Sequence, residues 1–532
     1  MAIKIILLVL FFGVMITVGL QTRKHSTNVA GFVLGGRNVG PWLTAFAFGT
    51  SYFSAVIFVG YAGQFGWNFG VASTWVGLGN AFIGSLMAWA ILGRRTRIMT
   101  QHIDAKTMPE FFGKRYQSRK LKVLASLITF VFLIPYTASL FNGLSRLFEM
   151  GFHIPYYICV IVMAVLTGFY VVLGGYMATA VNDFIQGIIM LFGIVAVVVA
   201  VLNQHGGLMS SMNELANMES PVMTGAYSSF FGPDPVALLV VILLTSLGTW
   251  GLPQMVAKFY AIRNEGDIKK GTIISTFFAI VVAGGCYFNG GFGRLFLTQE
   301  QVDANGFDAI VPAMLSNLPD VLIAVVLVLV LSASMSTLSS LVLTSSSTLT
   351  LDFIDPLRKE ALTEKSKLTL MRIFVVVFIA VSAVIAIFQA KSHVTFIAQL
   401  MGISWGALAG AFLAPFLYGL YWKKTTKTSV YVSFFYGVIL MLIQLCVSLG
   451  WIAMPGAFLQ FIFRNSLYSG VFAMLTSLVL VPLISVCTKS VPKKVDKMFD
   501  CYEVVRPVRV STSLGNLAEN DDDLRGEPIP ED

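Results

Sequence analysis

Thirteen apolar runs, each long enough to cross a bilayer, divide this chain and leave it few folds to choose from. They fall near 2–20, 40–62, 69–92, 121–145, 155–173, 183–202, 236–257, 272–293, 320–350, 371–389, 395–421, 429–450 and 465–487. Hydrocarbon supplies no water to a backbone, so such segments close their hydrogen bonds internally as helices. Composition points the same way: 56% of residues are hydrophobic, 12% are charged and the mean hydropathy is +0.79. That excludes a soluble globular domain and predicts an all-α polytopic membrane protein with about 13 transmembrane helices. The first run looks like a signal peptide, but Lys4 is its one early cation and Arg23-Lys24 follows in place of a small-residue cleavage site. It reads as a retained span.

The net charge of +9 has a topological explanation. Loops on alternate sides of the spans hold 31 of the 36 Lys and Arg residues, chiefly in 21–39, 93–122, 258–271, 351–372, 422–428 and the tail. The positive-inside rule then places the N-terminus outside and the C-terminus in the cytoplasm. No nucleic-acid partner is needed to explain the basic balance. The acidic tail, with Glu519-Asn520-Asp521-Asp522-Asp523, is expected to be disordered. Neither the five cysteines nor the five histidines show metal-ligand or redox spacing, and no nucleophile–base pair stands out, so an enzyme is not expected.

Polar groups inside the spans carry the functional signal. Residues 332–340 read Ser332-Ala333-Ser334-Met335-Ser336-Thr337-Leu338-Ser339-Ser340, with Thr344 to Thr348 beyond. So many hydroxyls in hydrocarbon must face protein, an ion or a water-filled path. Neutral oxygens suit a hard cation such as Na⁺; close helix packing and back-bonding to the preceding turn are the competing reading. The second span is interrupted at Gly49-Thr50-Ser51-Tyr52-Phe53-Ser54, and the seventh at Gly248-Thr249-Trp250-Gly251-Leu252-Pro253-Gln254. Five spans separate their starts. This is the pattern of inverted-repeat transporters, in which two discontinuous helices meet near the bilayer midplane. One proline kink and one glycine-rich face would leave the same local trace. Asp183 stands at the start of the sixth run, where it serves either as a helix cap or as an intramembrane carboxylate on an ion route.

Several segments in order resemble the sodium/solute symporter family, which includes sodium/proline, sodium/galactose and sodium/pantothenate carriers. They are Gly35-Gly36-Arg37-Asn38-Val39-Gly40-Pro41-Trp42, Thr107-Met108-Pro109-Glu110-Phe111 with Arg115-Tyr116, Gly174-Gly175-Tyr176 with Asn182-Asp183-Phe184-Ile185-Gln186, and Ala333 to Ser340 with Asp352. The resemblance implies a leucine-transporter-type five-plus-five inverted repeat preceded by one extra N-terminal helix. It implies a sodium site built from the carbonyls of Thr50 and Phe53 with Ala333, Ser336 and Thr337, and it matches Asp183 to the acid on the ion release route. Proline carriers place a Trp and a Tyr one turn apart in span seven, followed by a Pro. Here those positions read Thr245, Thr249 and Pro253, and the acid beside the sodium site is replaced by Tyr52. The substrate pocket is assigned to Ser51, Tyr52, Thr249, Trp250, Pro253 and Gln254, with no fixed buried cation among its walls.

The expected organisation is an extra helix and basic loop (1–37), a first repeat with its external loop (38–235), a second repeat (236–428), two C-terminal helices (429–490) and a tail (491–532). The expected function is sodium-coupled symport of a small organic solute, an amino acid or small carboxylate, across a bacterial plasma membrane. Na⁺ is the co-transported ion, with no organic cofactor, and the partners are the solute and the lipid bilayer. Proton coupling on the same fold, a sensor or receptor on a transporter scaffold, and a channel are the alternatives.

Overall fold

The computed structural model describes residues 2–152, 154–392, 397–488 and 493–502. Among these every regular element is a helix, and the one extended contact is an isolated bridge between Val39 and Ile262. Ten helices are long and apolar enough to cross a membrane, and a bent pair, Pro235–Gly251 with Pro253–Ala261, makes up to eleven. The expected count of thirteen is therefore not reproduced. The difference lies in two helices, Val56–His102 and Tyr156–Asn203, that run on for 47 and 48 residues. About 20 residues suffice for one crossing, so each is longer than a single span needs. Each also contains a glycine with positive φ, Gly70 (62°) and Gly175 (55°). At Gly175 a Cβ would meet the Phe32 carbonyl oxygen at 2.9 Å, so both the backbone angle and the close approach require glycine.

Both interruptions expected from the sequence are present. The first half of the second span, Pro41–Tyr52, ends at Phe53, whose φ of −100° and ψ of 91° turn the backbone out of the helix. The chain resumes as a π-helical turn at Val56–Tyr61. In the seventh span, Leu247–Gly251 tightens to a 3₁₀ turn, Leu252 is extended, and Pro253 opens the second half. The two halves meet at 50°. Proline suits the first turn of a helix because its missing N–H would find no partner there.

Packing gathers the broken spans against one another. Pro41–Tyr52 lies against Asp320–Thr348, Tyr156–Asn203, Glu265–Gly290 and Pro253–Ala261. The N-terminal helix Ala2–Thr22 rests on Tyr156–Asn203 and Asp320–Thr348, with Lys4 Nζ 3.0 Å from Asp320. Where Ala62–Phe69 crosses Glu265–Gly290, Gly66 and Gly290 allow backbone contact. A Cβ on Gly66 would stand 2.0 Å from the Gly290 carbonyl oxygen, and one on Gly290 would stand 2.0 Å from that of Ala62.

Two later helices carry internal prolines. Pro415 cannot donate to the Ala411 carbonyl, and Ser433 Oγ on the neighbouring helix donates to it instead at 2.9 Å. Pro482 likewise frees the Leu478 carbonyl, which accepts from Tyr418 Oη at 2.8 Å.

Basic segments meet at one end of the bundle. Arg97 Nε donates to the Ile262 carbonyl at 2.6 Å, Arg115 Nε donates to that of Gly419 at 2.9 Å, and Arg94 pairs with Glu265. Residues 493–502, expected to begin a disordered tail, are helical. Lys493–Met498 and the turn Phe499–Tyr502 pack there, with the guanidinium of Arg115 4.9 Å from the Phe499 ring centre and that of Arg95 4.6 Å from the Tyr502 ring centre. The acidic stretch 519–523 lies outside the described residues.

Candidate functional site

The hydroxyl-rich helix Asp320–Thr348 separates its hydroxyls by role. Ser332, Ser339, Ser347 and Thr348 donate to carbonyls of their own helix at 2.7–3.1 Å. For these, local back-bonding accounts for the buried hydroxyl. Ser336, Thr337 and Ser340 instead reach across to the first broken span. Ser336 Oγ lies 3.0 Å from the Thr50 carbonyl oxygen and 3.2 Å from that of Ala333. Thr337 Oγ1 lies 3.1 Å from both carbonyls and 3.4 Å from that of Ser51. Thr50, Ala333, Ser336 and Thr337 are all at most 1% exposed.

The helix break makes this convergence possible. In a continuous helix the Thr50 carbonyl would accept from residue 54, but the backbone leaves the helix at Phe53. Thr50 Oγ1 is turned back to Phe46 O at 2.8 Å, so it is the Thr50 carbonyl that faces the hydroxyls. Phe53 stands at the break and shares with Ala333 the wall of a small cavity. Chemically the cluster is a set of neutral oxygens without fixed charge, the donor set a hard monovalent cation takes.

One helical turn further along, Ser340 Oγ lies 2.7 Å from Ser51 Oγ and accepts from Lys258 Nζ at 2.9 Å. Lys258 belongs to the second half of the seventh span and is 2% exposed. Its ammonium lies 3.8 Å from Asp183 Oδ2 and 5.3 Å from the centre of the Tyr176 ring. This corrects the expectation of a pocket without a fixed buried cation. Counting charges by segment places Lys258 with Arg263, Lys269 and Lys270 in a loop. Helical spacing was the available signal, because Lys258 is four residues after Gln254 and shares its face. Asp183 does not cap a helix: it lies inside Tyr156–Asn203, eight residues past the kink at Gly175.

The six residues assigned to the substrate pocket do not surround one cavity. Pro253 and Gln254 line a narrow cavity together with Thr107, Tyr176, Lys258 and Ser340. Gln254 is 1% exposed, and neither atom of its side-chain amide has a hydrogen-bond partner. The other four face elsewhere. Ser51 bridges to Ser340. Tyr52 donates to the Thr245 carbonyl and stacks on Phe53, with ring centres 4.4 Å apart. Thr249 Oγ1 turns back to Ser246 O at 2.8 Å, and Trp250 Nε1 donates to Ile83 O at 3.1 Å. No group of His, Cys, Asp and Glu among the described residues is arranged to hold a metal ion.

Two broken spans that meet inside a helical membrane bundle, with an oxygen cluster at one break and a polar cavity beside the other, define a transporter of the leucine-transporter fold. Residues 32–437 match the sodium:solute symporter family, and the chain belongs to that family. Among its relatives, the sodium/proline symporter of Staphylococcus aureus is 29% identical, over 91% of this chain and 92% of the relative. Sodium/proline symporter 2 of Staphylococcus saprophyticus is 28% identical, over 82% and 85%. The fold is similar to that of a Na⁺-coupled sialic acid symporter solved in a substrate-bound, outward-open state. That likeness has a TM-score of 0.71 and 15% identity, and covers 92% of this chain and 98% of the other.

Proposed function

We propose that this chain is a sodium-coupled symporter that imports a small organic solute by alternating access, with an amino acid or small carboxylate as the solute. The observation that carries the reading is the meeting of Thr50 O, Ala333 O, Ser336 Oγ and Thr337 Oγ1 within 3.0–3.2 Å contacts across two helices. The hydroxyls donate to the carbonyls across this cluster. A sodium ion would take the carbonyls as ligands and turn the hydroxyl lone pairs toward itself, with Phe53 O as the fifth oxygen. The ion would then tie the first broken span to the hydroxyl-rich helix. That link is the physical basis for coupling, because the affinity of the ion depends on how the two helices are placed.

Asp183 is assigned to the ion release route, and the solute to the cavity lined by Pro253 and Gln254. Gln254 is the better supported of these, since its amide is buried and unpartnered and the residue lines the cavity. The names of the staphylococcal relatives make proline the first solute to try, while Thr245 and Thr249 in place of an aromatic pair favour testing beyond it. The gathering of basic segments at one end supports an outside N-terminus and a cytoplasmic C-terminus, and the staphylococcal relatives support a bacterial plasma membrane.

A thermal-shift screen of the purified protein tests this reading. Proline, other amino acids, small carboxylates, pantothenate, sugars and sialic acid would each be added in sodium chloride and in choline chloride. Stabilisation by a solute only in sodium is the expected outcome. Stabilisation that is equal in both salts would replace sodium with proton coupling or a receptor role.

A further inference from the structure

The surroundings of Asp183 are those of a cation site that the protein fills with its own side chain. Asp183 is fully buried, and neither carboxylate oxygen accepts a hydrogen bond. Three kinds of cation-attracting group converge beside it: the carboxylate itself, the hydroxyl of Ser340 and the face of the Tyr176 ring. The group they surround is Lys258 Nζ, at 3.8 Å, 2.9 Å and 5.3 Å from the three. Buried charge of this kind in a membrane bundle is costly and is retained where it serves transport.

We propose that Lys258 is a tethered cation that stands in for a second coupling ion beside Asp183 and thereby holds this chain to one sodium per cycle. The inference rests on the sodium site proposed at Thr50, Ala333, Ser336 and Thr337. Ser340 is one helical turn from Ser336, about 6 Å along the axis, so the ammonium and the sodium occupy neighbouring positions on one helix. A second free cation between Asp183 and Ser340 would sit about 4 Å from the ammonium. At an effective dielectric constant near 20, repulsion at that distance lowers its affinity by roughly a thousandfold. Because Lys258 belongs to the second half of the seventh span, this positive charge remains with the protein when that half moves.

Equilibrium binding of ²²Na⁺ to the purified full-length protein tests the proposal without knowledge of the solute. The wild type should bind about one ion per chain, and Lys258→Met should bind about two. Lys258→Met/Asp183→Asn should return to about one, since the carboxylate that would hold the second ion is gone. Two ions in the wild type would overturn the proposal while leaving the symporter reading intact. So would a single ion in a Lys258→Met protein that still unfolds cooperatively. Absence of sodium binding in the wild type would remove the symporter reading itself, and this inference with it. If Lys258→Met does not fold, the wild type and Asp183→Asn decide. One ion in both supports a site already filled by Lys258, and a drop from two to one on Asp183→Asn refutes it.

Discussion

Ser51 Oγ and Ser340 Oγ lie 2.7 Å apart and join the first broken span to the hydroxyl-rich helix one turn beyond the Thr50–Ser336 contact. Ser340 also accepts from Lys258 of the second broken span. The two breaks are therefore connected through one side chain of a third helix.

Replacing Ser336 and Thr337 together by alanine removes two of the proposed sodium ligands while keeping the helix. Each lost contact to a charged ligand is worth about 1.5–3 kcal/mol, so sodium affinity should fall by at least tenfold. Titrating sodium against the melting temperature of the purified protein measures this directly. An unchanged midpoint in the double variant would rule out the site.

Ser51→Ala should act differently. It breaks the bridge to Ser340 but removes no proposed sodium ligand. A loss of about 1 kcal/mol is expected in sodium and in choline alike. The sodium midpoint should move less than threefold, and a shift as large as that of the Ser336 and Thr337 double variant would place Ser51 among the ion ligands.

Gly66→Ala should prevent normal assembly of the bundle, because the new methyl would meet the Gly290 carbonyl oxygen at 2.0 Å and backbone cannot easily yield. A cost of about 3 kcal/mol or more is expected from such overpacking. Gly284→Ala on the crossing helix is the control, since its Cβ meets nothing within 4 Å. That variant should melt at the wild-type temperature or slightly above it.

At the basic end, Asp352 is buried and accepts from Thr107 Oγ1 at 2.5 Å, with Lys122 Nζ 3.2 Å away. Thr107 also caps the helix Met108–Arg115 by accepting from Glu110 N at 3.1 Å. Lys122→Met should destabilise by about 3 kcal/mol, since it leaves the Asp352 carboxylate without its cation. Adding Asp352→Asn should recover part of that loss. A strictly additive double variant, read from thermal unfolding, would show that the two groups do not interact.

The fold was legible in the sequence where hydrocarbon dictates it. Apolar runs, the glycine and proline interruptions at Thr50 and Pro253, and the hydroxyls of Ser336 and Thr337 all lead to what the structure contains. The number of separate helices was less legible, because a kink at a single glycine lets two apolar runs continue as one helix. Lys258 was hidden for a similar reason: a charge count by segment cannot tell a lysine in a loop from one folded back into the interior. The positions of Ser51, Tyr52, Thr249 and Trp250 depend on which way each side chain turns at a break. No periodicity survives there to report it.

The prolines at 415 and 482 have an effect beyond bending. A proline leaves one carbonyl free at a fixed place on a helix, and in each case one hydroxyl of one neighbouring helix meets it. Sliding either neighbour by a turn would strand that carbonyl in an environment without water. The pair thus acts as a set of indexing pins. It permits one lengthwise alignment of the C-terminal helices and penalises every other, a role that apolar side chains, alike along their length, cannot fill.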